Sequence, residues 1–500
     1  MEGAVAIRYD LIIRDVRIVD GTGAPAREGD VAVKEGRISA VGRPAGGVAV
    51  GASELDGGGH LVCAPGFIDT HTHDDAALVR HPGLEFKVAQ GCTSLVIGNC
   101  GFSGFPATGR EDIESVARAD WQDLGGFRRA IAARPFACNA IALIGHNTIR
   151  TITMGPAGQG PPTARQLDAM RSQVERAMEQ GACGFSSGLI YTPGKWSETE
   201  EIIELARPAA ERGGIYATHL RNEGDYLLEA LDEAMAIGRE AGLPVHISHH
   251  KAAGESNWGK VADSLAKVDQ ANAAGAAVTL DFYPYTASSG PMVEYVDPDD
   301  VSEEWAKRTR VASCPPYPEY QGRMLVDLLS AEGVGMADLV RRILSGTDGD
   351  RTISISYGMS EDDLVTNLRH PLMMVGSDGI PLLQGFPHPR LFGTFPRIFA
   401  EYVRRRQVIG LEEAVRRMTS LAADRFGLAG RGRLIEGTWA DLVVFDADTV
   451  RDTATYDDPK RQPVGVQWVV VNGRLAYDRG RHTGVGSGRL LRYMEEGLPW

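Results

Sequence analysis

Two histidines flank one threonine in His71-Thr72-His73, directly after the run Phe67-Ile68-Asp69. Side chains two apart on an extended strand share a face, so this spacing aims both imidazoles into one volume. Neutral imidazole is a ligand for zinc and other transition metals. A His-x-His pair alone is as compatible with solvated loop histidines. More candidate ligands follow, each closing an apolar run. Cys100 closes Ser94-Leu95-Val96-Ile97-Gly98-Asn99, and His219 closes Gly214-Ile215-Tyr216-Ala217-Thr218. The pair His249-His250 closes Pro244-Val245-His246-Ile247-Ser248, and Asp378 closes Val375-Gly376-Ser377. A lone cysteine most often behaves as a small buried hydrophobe; beside imidazoles its thiolate is a soft ligand suited to zinc. Alternation admits only one of His249 and His250 to an inner face. Val245, Ile247, His249 and Lys251 share one parity, and either that set or its opposite faces inward.

Ligands at several strand ends need a scaffold that gathers those ends. Candidate strands end at His71-Thr72-His73, Asn99-Cys100, Gly145-His146, Gly188-Leu189, His219, His249, Tyr283 and Asp378. Helical stretches such as Thr163 to Gln180, Glu198 to Arg212 and Tyr226 to Ala241 lie between them. This rhythm predicts an α/β (β/α)8 TIM barrel, whose active site sits where the strands end. The alternative is an open doubly wound sheet. Both chain ends are strand-rich. Lys34-Glu35-Gly36 and Asn472-Gly473 read as hairpin turns, so residues 1–62 and 426–490 are expected to form one small β-sandwich domain around a barrel at 63–425. The gap between Tyr285 and Met373 exceeds a normal crossover. It implies an insertion after barrel strand 7, at about residues 286–345, as a lid or as peripheral decoration.

The bulk numbers exclude some classes. A chain of 500 residues, 43% hydrophobic, can bury one large α/β core and a smaller partner. A formal net charge of -14 argues against nucleic acid as a partner. The six cysteines show no short paired spacing, which fits a reducing compartment. No secretory leader or membrane-length apolar run is evident. A cytoplasmic location is the expectation.

With these segments assembled, the chain resembles the amidohydrolase superfamily, and within it the N-acyl-D-amino-acid deacylases (D-aminoacylases). The resemblance covers nearly the whole chain. It is carried by Pro65-Gly66-Phe67-Ile68-Asp69-Thr70-His71-Thr72-His73, Gly98-Asn99-Cys100-Gly101 and Ser186-Ser187-Gly188-Leu189-Ile190-Tyr191, then Thr218-His219-Leu220-Arg221, Ser248-His249-His250-Lys251 and Gly376-Ser377-Asp378-Gly379. It implies one tightly held zinc on Cys100, His219 and His249, selecting His249 over His250. It places His71, His73 and Asp378 around a second position that is weak or empty. Related hydrolases bridge two metals with a carboxylated lysine on the fourth strand. Here Cys183-Gly184-Phe185-Ser186-Ser187-Gly188-Leu189 has none, and Cys100 would replace it.

The implied activity is hydrolysis of a small N-acyl-D-amino acid to a carboxylate and a free D-amino acid. Zinc lowers the pKa of a bound water to about 7, and Asp378 would carry the proton from water to the leaving nitrogen. Lys251 and Tyr283 would meet the substrate carboxylate, with Tyr191 and Ser289 as further lining candidates. His146 is given at most a supporting role, and the role of His388-Pro389-Arg390 is left open. The stretch Ser288 to Tyr295 offers no cation, which points to neutral or hydrophobic D-amino acids unless Arg308 or Arg310 reaches the pocket. The rivals are a cyclic-amide hydrolase of the hydantoinase or dihydroorotase type and a non-catalytic scaffold on the same barrel.

Overall fold

The structure is a computed structural model, and it describes residues 7–42, 49–108 and 121–494. Eight parallel strands pair in chain order: β1 (Phe67–Asp69), β2 (Cys92–Ile97), β3 (Asn139–Gly145), β4 (Gly184–Gly188), β5 (Ile215–His219), β6 (Val245–Ile247), β7 (Val278–Phe282) and β8 (Met373–Val375). They read as continuous apolar runs because both faces are covered. Ile68, Val96, Ile141, Leu143 and Met374 form an inner cluster. Ile97, Val245 and Ile247 join the larger cluster shared with the helices. The helices begin and end near the expected positions, at Ala164–Glu179, Thr199–Glu211 and Leu227–Ala241. Thr163 and Gln166 form a reciprocal capping box at the first of these.

An open sheet would leave β1 and β8 apart. Instead they meet just beyond their ends, where Asp378 N donates to His71 O (2.8 Å) and His73 N to Gly379 O (3.1 Å). Side chains lock the same seam from below. Asp69 Oδ1 accepts from Ser377 N (2.7 Å), and Lys87 Nζ donates to Asp69 Oδ2 and to Ser377 Oγ, both at 2.7 Å. Lys87 is wholly buried, and its charge also faces Asp74 at 3.2 Å. The barrel therefore closes at the level of the candidate ligands.

Both chain ends enter one nine-stranded sheet. Val62–Pro65 pairs antiparallel with Leu442–Phe445, which ties the N-terminal strands to the C-terminal ones. Ile13, Val33, Cys63, Leu442 and Trp468 share its apolar cluster. Asn472 and Gly473 adopt φ of 49° and 79° between antiparallel strands Val466–Val471 and Arg474–Asp478, as the turn chemistry requires. Between β7 and β8 the chain builds a separate three-stranded sheet, Ala287–Pro291, Thr309–Ser313 and Ile353–Tyr357. Met292, Val311, Leu325 and Leu339 give this insertion an apolar cluster of its own.

Replacing Lys87 with methionine would leave Asp69 and Asp74 facing each other without a counter-charge. The expected loss is about 3–5 kcal/mol, measured as a lower midpoint in chemical unfolding. An unchanged midpoint would show that the seam does not depend on this pair.

Candidate metal centre and reaction site

Sharp turns at the strand ends aim the ligands. Gly98 has φ +79°, and a Cβ there would lie 2.1 Å from the Leu143 carbonyl oxygen, so the turn after β2 needs glycine. Cys100, His249 and Asp378 themselves lie in the left-handed region, at φ 54°, 35° and 49°. Such backbone costs a non-glycine residue about 1–2 kcal/mol. At β6 this turn decides what alternation left open. Within the strand His246 faces inward, against Phe426 and Asp281, while Val245 and Ile247 face the helices. The positive φ then swings His249 back to the centre and sends His250 to Asn367 and Ser264, each at 2.7 Å. Parity does not carry past Ile247, because the strand ends there.

Cys100 Sγ lies 3.2 Å from His71 Nε2, 3.4 Å from His249 Nε2 and 3.8 Å from His219 Nδ1. Asp378 Oδ1 lies 3.2 Å from His73 Nε2 and 3.7 Å from His71 Nε2. All six sequence-predicted ligand residues thus converge, with His71 shared between the cysteine side and the aspartate side. Burial opposes charge on Cys100, but His71 and His249 outweigh it and hold the thiol well below its usual value. Burial likewise opposes ionisation of Asp378, and Arg390 Nη2, 2.9 Å from its Oδ2, holds it well below the usual carboxylate range.

A thiolate and three imidazoles in a dry interior are a zinc donor set. In a tetrahedral zinc site, sulfur and nitrogen ligands sit about 3.5 Å apart, which matches the Cys100 distances. The far nitrogens are oriented by carboxylates that sequence reading missed. Asp281 Oδ1 accepts from His249 N (2.7 Å), and its Oδ2 is 2.7 Å from His246 Nε2 and 3.6 Å from His71 Nδ1. Glu223 lies 3.0 Å from His249 Nδ1 and 3.4 Å from His219 Nε2. Their clue was position: Glu223 stands four residues after His219, and Asp281 two before Tyr283.

A cavity of about 440 Å³ opens over this centre, and Tyr191, Lys251, Tyr283 and Ser289 all line it. Lys251 Nζ is already held by Glu223 (2.5 Å) and His249 Nδ1 (2.8 Å). Tyr191 donates or accepts at Tyr295 Oη (2.7 Å). The Tyr283 hydroxyl is buried with no hydrogen-bond partner. The insertion supplies part of the rim, with Trp305, Arg308 and Tyr357. Arg308 pairs with Glu304 (3.4 Å), and Arg310 points away to Asp457 (2.7 Å). Arg390, left unassigned from sequence, stacks 4.4 Å from the Tyr283 ring, and its Nε and Nη1 have no hydrogen-bond partner. His388 Nδ1 accepts from Arg390 N (3.0 Å). His146 is elsewhere, paired with Glu201 at 2.9 Å.

Comparison with known proteins identifies the family. A model of the amidohydrolase family matches residues 55–289 and 203–477. An N-acyl-D-glutamate deacylase from Alcaligenes xylosoxydans xylosoxydans is 41% identical over 97% of each chain. The chain belongs to the amidohydrolase family, among the N-acyl-D-amino-acid deacylases. A D-aminoacylase from the same organism is 40% identical over 97% of each chain. This amidohydrolase also superimposes on the crystal structure of an N-acyl-D-glutamate deacylase from Bordetella bronchiseptica, complexed with zinc and a phosphonate inhibitor. That match has a TM-score of 0.88 and 38% identity over 97% of this chain and 100% of the other.

Cys100→Ala is expected to abolish tight metal binding, and Glu223→Gln to weaken it about 10–100-fold. Elemental analysis of the purified variants measures both; full metal content in Cys100→Ala would remove the thiolate from the ligand set.

Proposed function

We propose that this amidohydrolase is a zinc-dependent deacylase that hydrolyses small N-acyl-D-amino acids. The observation that carries this is the Cys100 thiolate set among His71, His219 and His249 at a barrel mouth that has no lysine on β4. We assign Cys100, His219 and His249 to one tightly held zinc, with Glu223 orienting the two imidazoles from behind. His71, His73 and Asp378 flank it and frame a weaker second position. When bound, zinc supplies Lewis acidity to the acyl carbonyl and to water.

The protein's own groups do the rest. Asp378 is ionised beside Arg390, so its carboxylate accepts a proton from the attacking water. The C–N bond breaks as that proton passes to the amide nitrogen, giving a carboxylate and a free amino acid. The substrate's α-carboxylate needs unspent donors. Lys251 shares its charge with Glu223, whereas Arg390 keeps two unpartnered nitrogens and Tyr283 an unpartnered hydroxyl. We therefore place the α-carboxylate on Arg390 and Tyr283, with Ser289 and Lys251 beside it. Arg308 is paired with Glu304, and Ile190, Tyr226 and Met359 line the same cavity. The apolar lining suits neutral or hydrophobic side chains, while Arg308, which reaches the rim and is held only by the exposed Glu304, supplies the cation an acidic side chain needs. All six cysteines are free and buried, and no helix among the described residues is long and apolar enough to cross a membrane. We infer a cytoplasmic setting, with no nucleic-acid partner for so acidic a chain.

Free amine release from matched N-acetyl-D- and N-acetyl-L-leucine, -phenylalanine and -glutamate tests the activity. Turnover is expected for D-leucine and D-phenylalanine derivatives; cleavage of hydantoins alone would favour the cyclic-amide reading. Asp378→Asn should retain zinc while kcat falls at least a hundredfold. Arg390→Met should raise KM at least tenfold, and an unchanged KM would remove it from carboxylate binding.

A further inference from the structure

A second cavity, of about 210 Å³, lies beside the reaction centre and is lined by His73, Ala76, Val79, Phe102, Trp121 and Phe127. His73 is its link to the chemistry. The imidazole stands 3.2 Å from Asp378 and lines this cavity, but it does not line the larger one. The wall between the two cavities is aromatic, with the Phe102 and Tyr191 rings 5.6 Å apart and Tyr191 facing the larger space.

The polar groups of the small cavity are already satisfied. Asp75 accepts from the backbone N–H groups of Gly98 (3.1 Å) and Gly104 (2.8 Å), and Trp121 Nε1 donates to Gly104 O (2.6 Å). Apart from the His73 imidazole at its inner end, what remains facing the space is hydrocarbon and aromatic ring. Phe102, a large apolar side chain 38% exposed among the described residues, is part of this lining.

An N-acyl amino acid has two halves joined at the scissile amide. Cations and hydroxyls gather on the side of the larger cavity, which suits the amino-acid half. The acyl half must then leave the centre in another direction, past His73. We propose that the second cavity is the acyl subsite of the enzyme and that it accepts a linear aliphatic acyl chain longer than acetyl. This rests on the deacylase reading above. A water occupies about 30 Å³ of liquid, so the cavity holds roughly seven atoms of that size. That is room for a butanoyl or hexanoyl chain. Each methylene buried favours binding roughly fourfold, so several methylenes produce a readable preference.

The test compares N-acetyl-, N-butanoyl- and N-hexanoyl-D-leucine on the zinc-loaded enzyme. The expected kcat/KM rises with chain length, at least tenfold from acetyl to hexanoyl. Ala76→Phe fills the cavity and should erase that rise. Phe102→Ala, at an exposed position, should reduce the hexanoyl advantage without affecting folding. Calorimetric titration with acetate and hexanoate reads the subsite without any turnover. Hexanoate should bind at least tenfold tighter, and Ala76→Phe should remove the difference. Equal binding of the two acids, or an unaltered preference in both variants, would overturn the subsite. A hexanoate preference that Ala76→Phe abolishes, in a protein that cleaves no N-acyl-D-amino acid, would uphold the subsite and sink the deacylase reading alone.

Discussion

The seam between the first and last barrel strands is the constraint on which the rest of the molecule depends. Ordinary strand pairing stops before this seam is closed, and the closure falls to Asp69, Lys87 and Ser377 and to the backbone bridge from His71 to Asp378. The residues that close the barrel thus also set the separation of His71, His73 and Asp378. A buried ion pair is a poor source of net stability, but it tolerates few alternative arrangements. Here that intolerance fixes distances at the reaction centre.

The centre itself is a problem in charge. A thiolate and a carboxylate, Cys100 and Asp378, share a dry space with four imidazoles and Arg390, while Glu223 and Asp281 stand behind them. Their backbone turns are left-handed at Cys100, His249 and Asp378, which a chain adopts only when the surroundings dictate it. The strain, the convergence and the carboxylates behind the histidines are all accounted for by the zinc centre proposed above.

Much of this was legible in the sequence. Strand ends bearing His71, Cys100, His219, His249 and Asp378 announced both the barrel and its metal chemistry, because those runs are largely apolar and separated by helix-length spacers. The turn at Asn472-Gly473 was equally plain. Glu223 and Asp281 were not, since a carboxylate that orients an imidazole looks like any other among 66 acidic residues until distances are known. Arg390 was hidden for a related reason: its value lies in two nitrogens left without partners. Strand alternation left the inner face of β6 open, because the strand ends at Ile247 and the decisive bend falls beyond it at His249, where period-two reasoning no longer holds.

The joining of both chain ends in one sheet has a consequence for how the protein is made. Val62–Pro65 waits for Leu442–Phe445, so the N-terminal strands emerge from the ribosome long before their partner is synthesised. Domains ordinarily fold as units, N-terminal first, during synthesis. This sheet cannot, and its first strands must spend most of translation with an unpaired edge. The barrel can be assembled in that interval, and Leu442–Phe445 then seals the sheet. The two ends act as a latch, and a truncated chain would keep an open strand edge of the kind that drives aggregation.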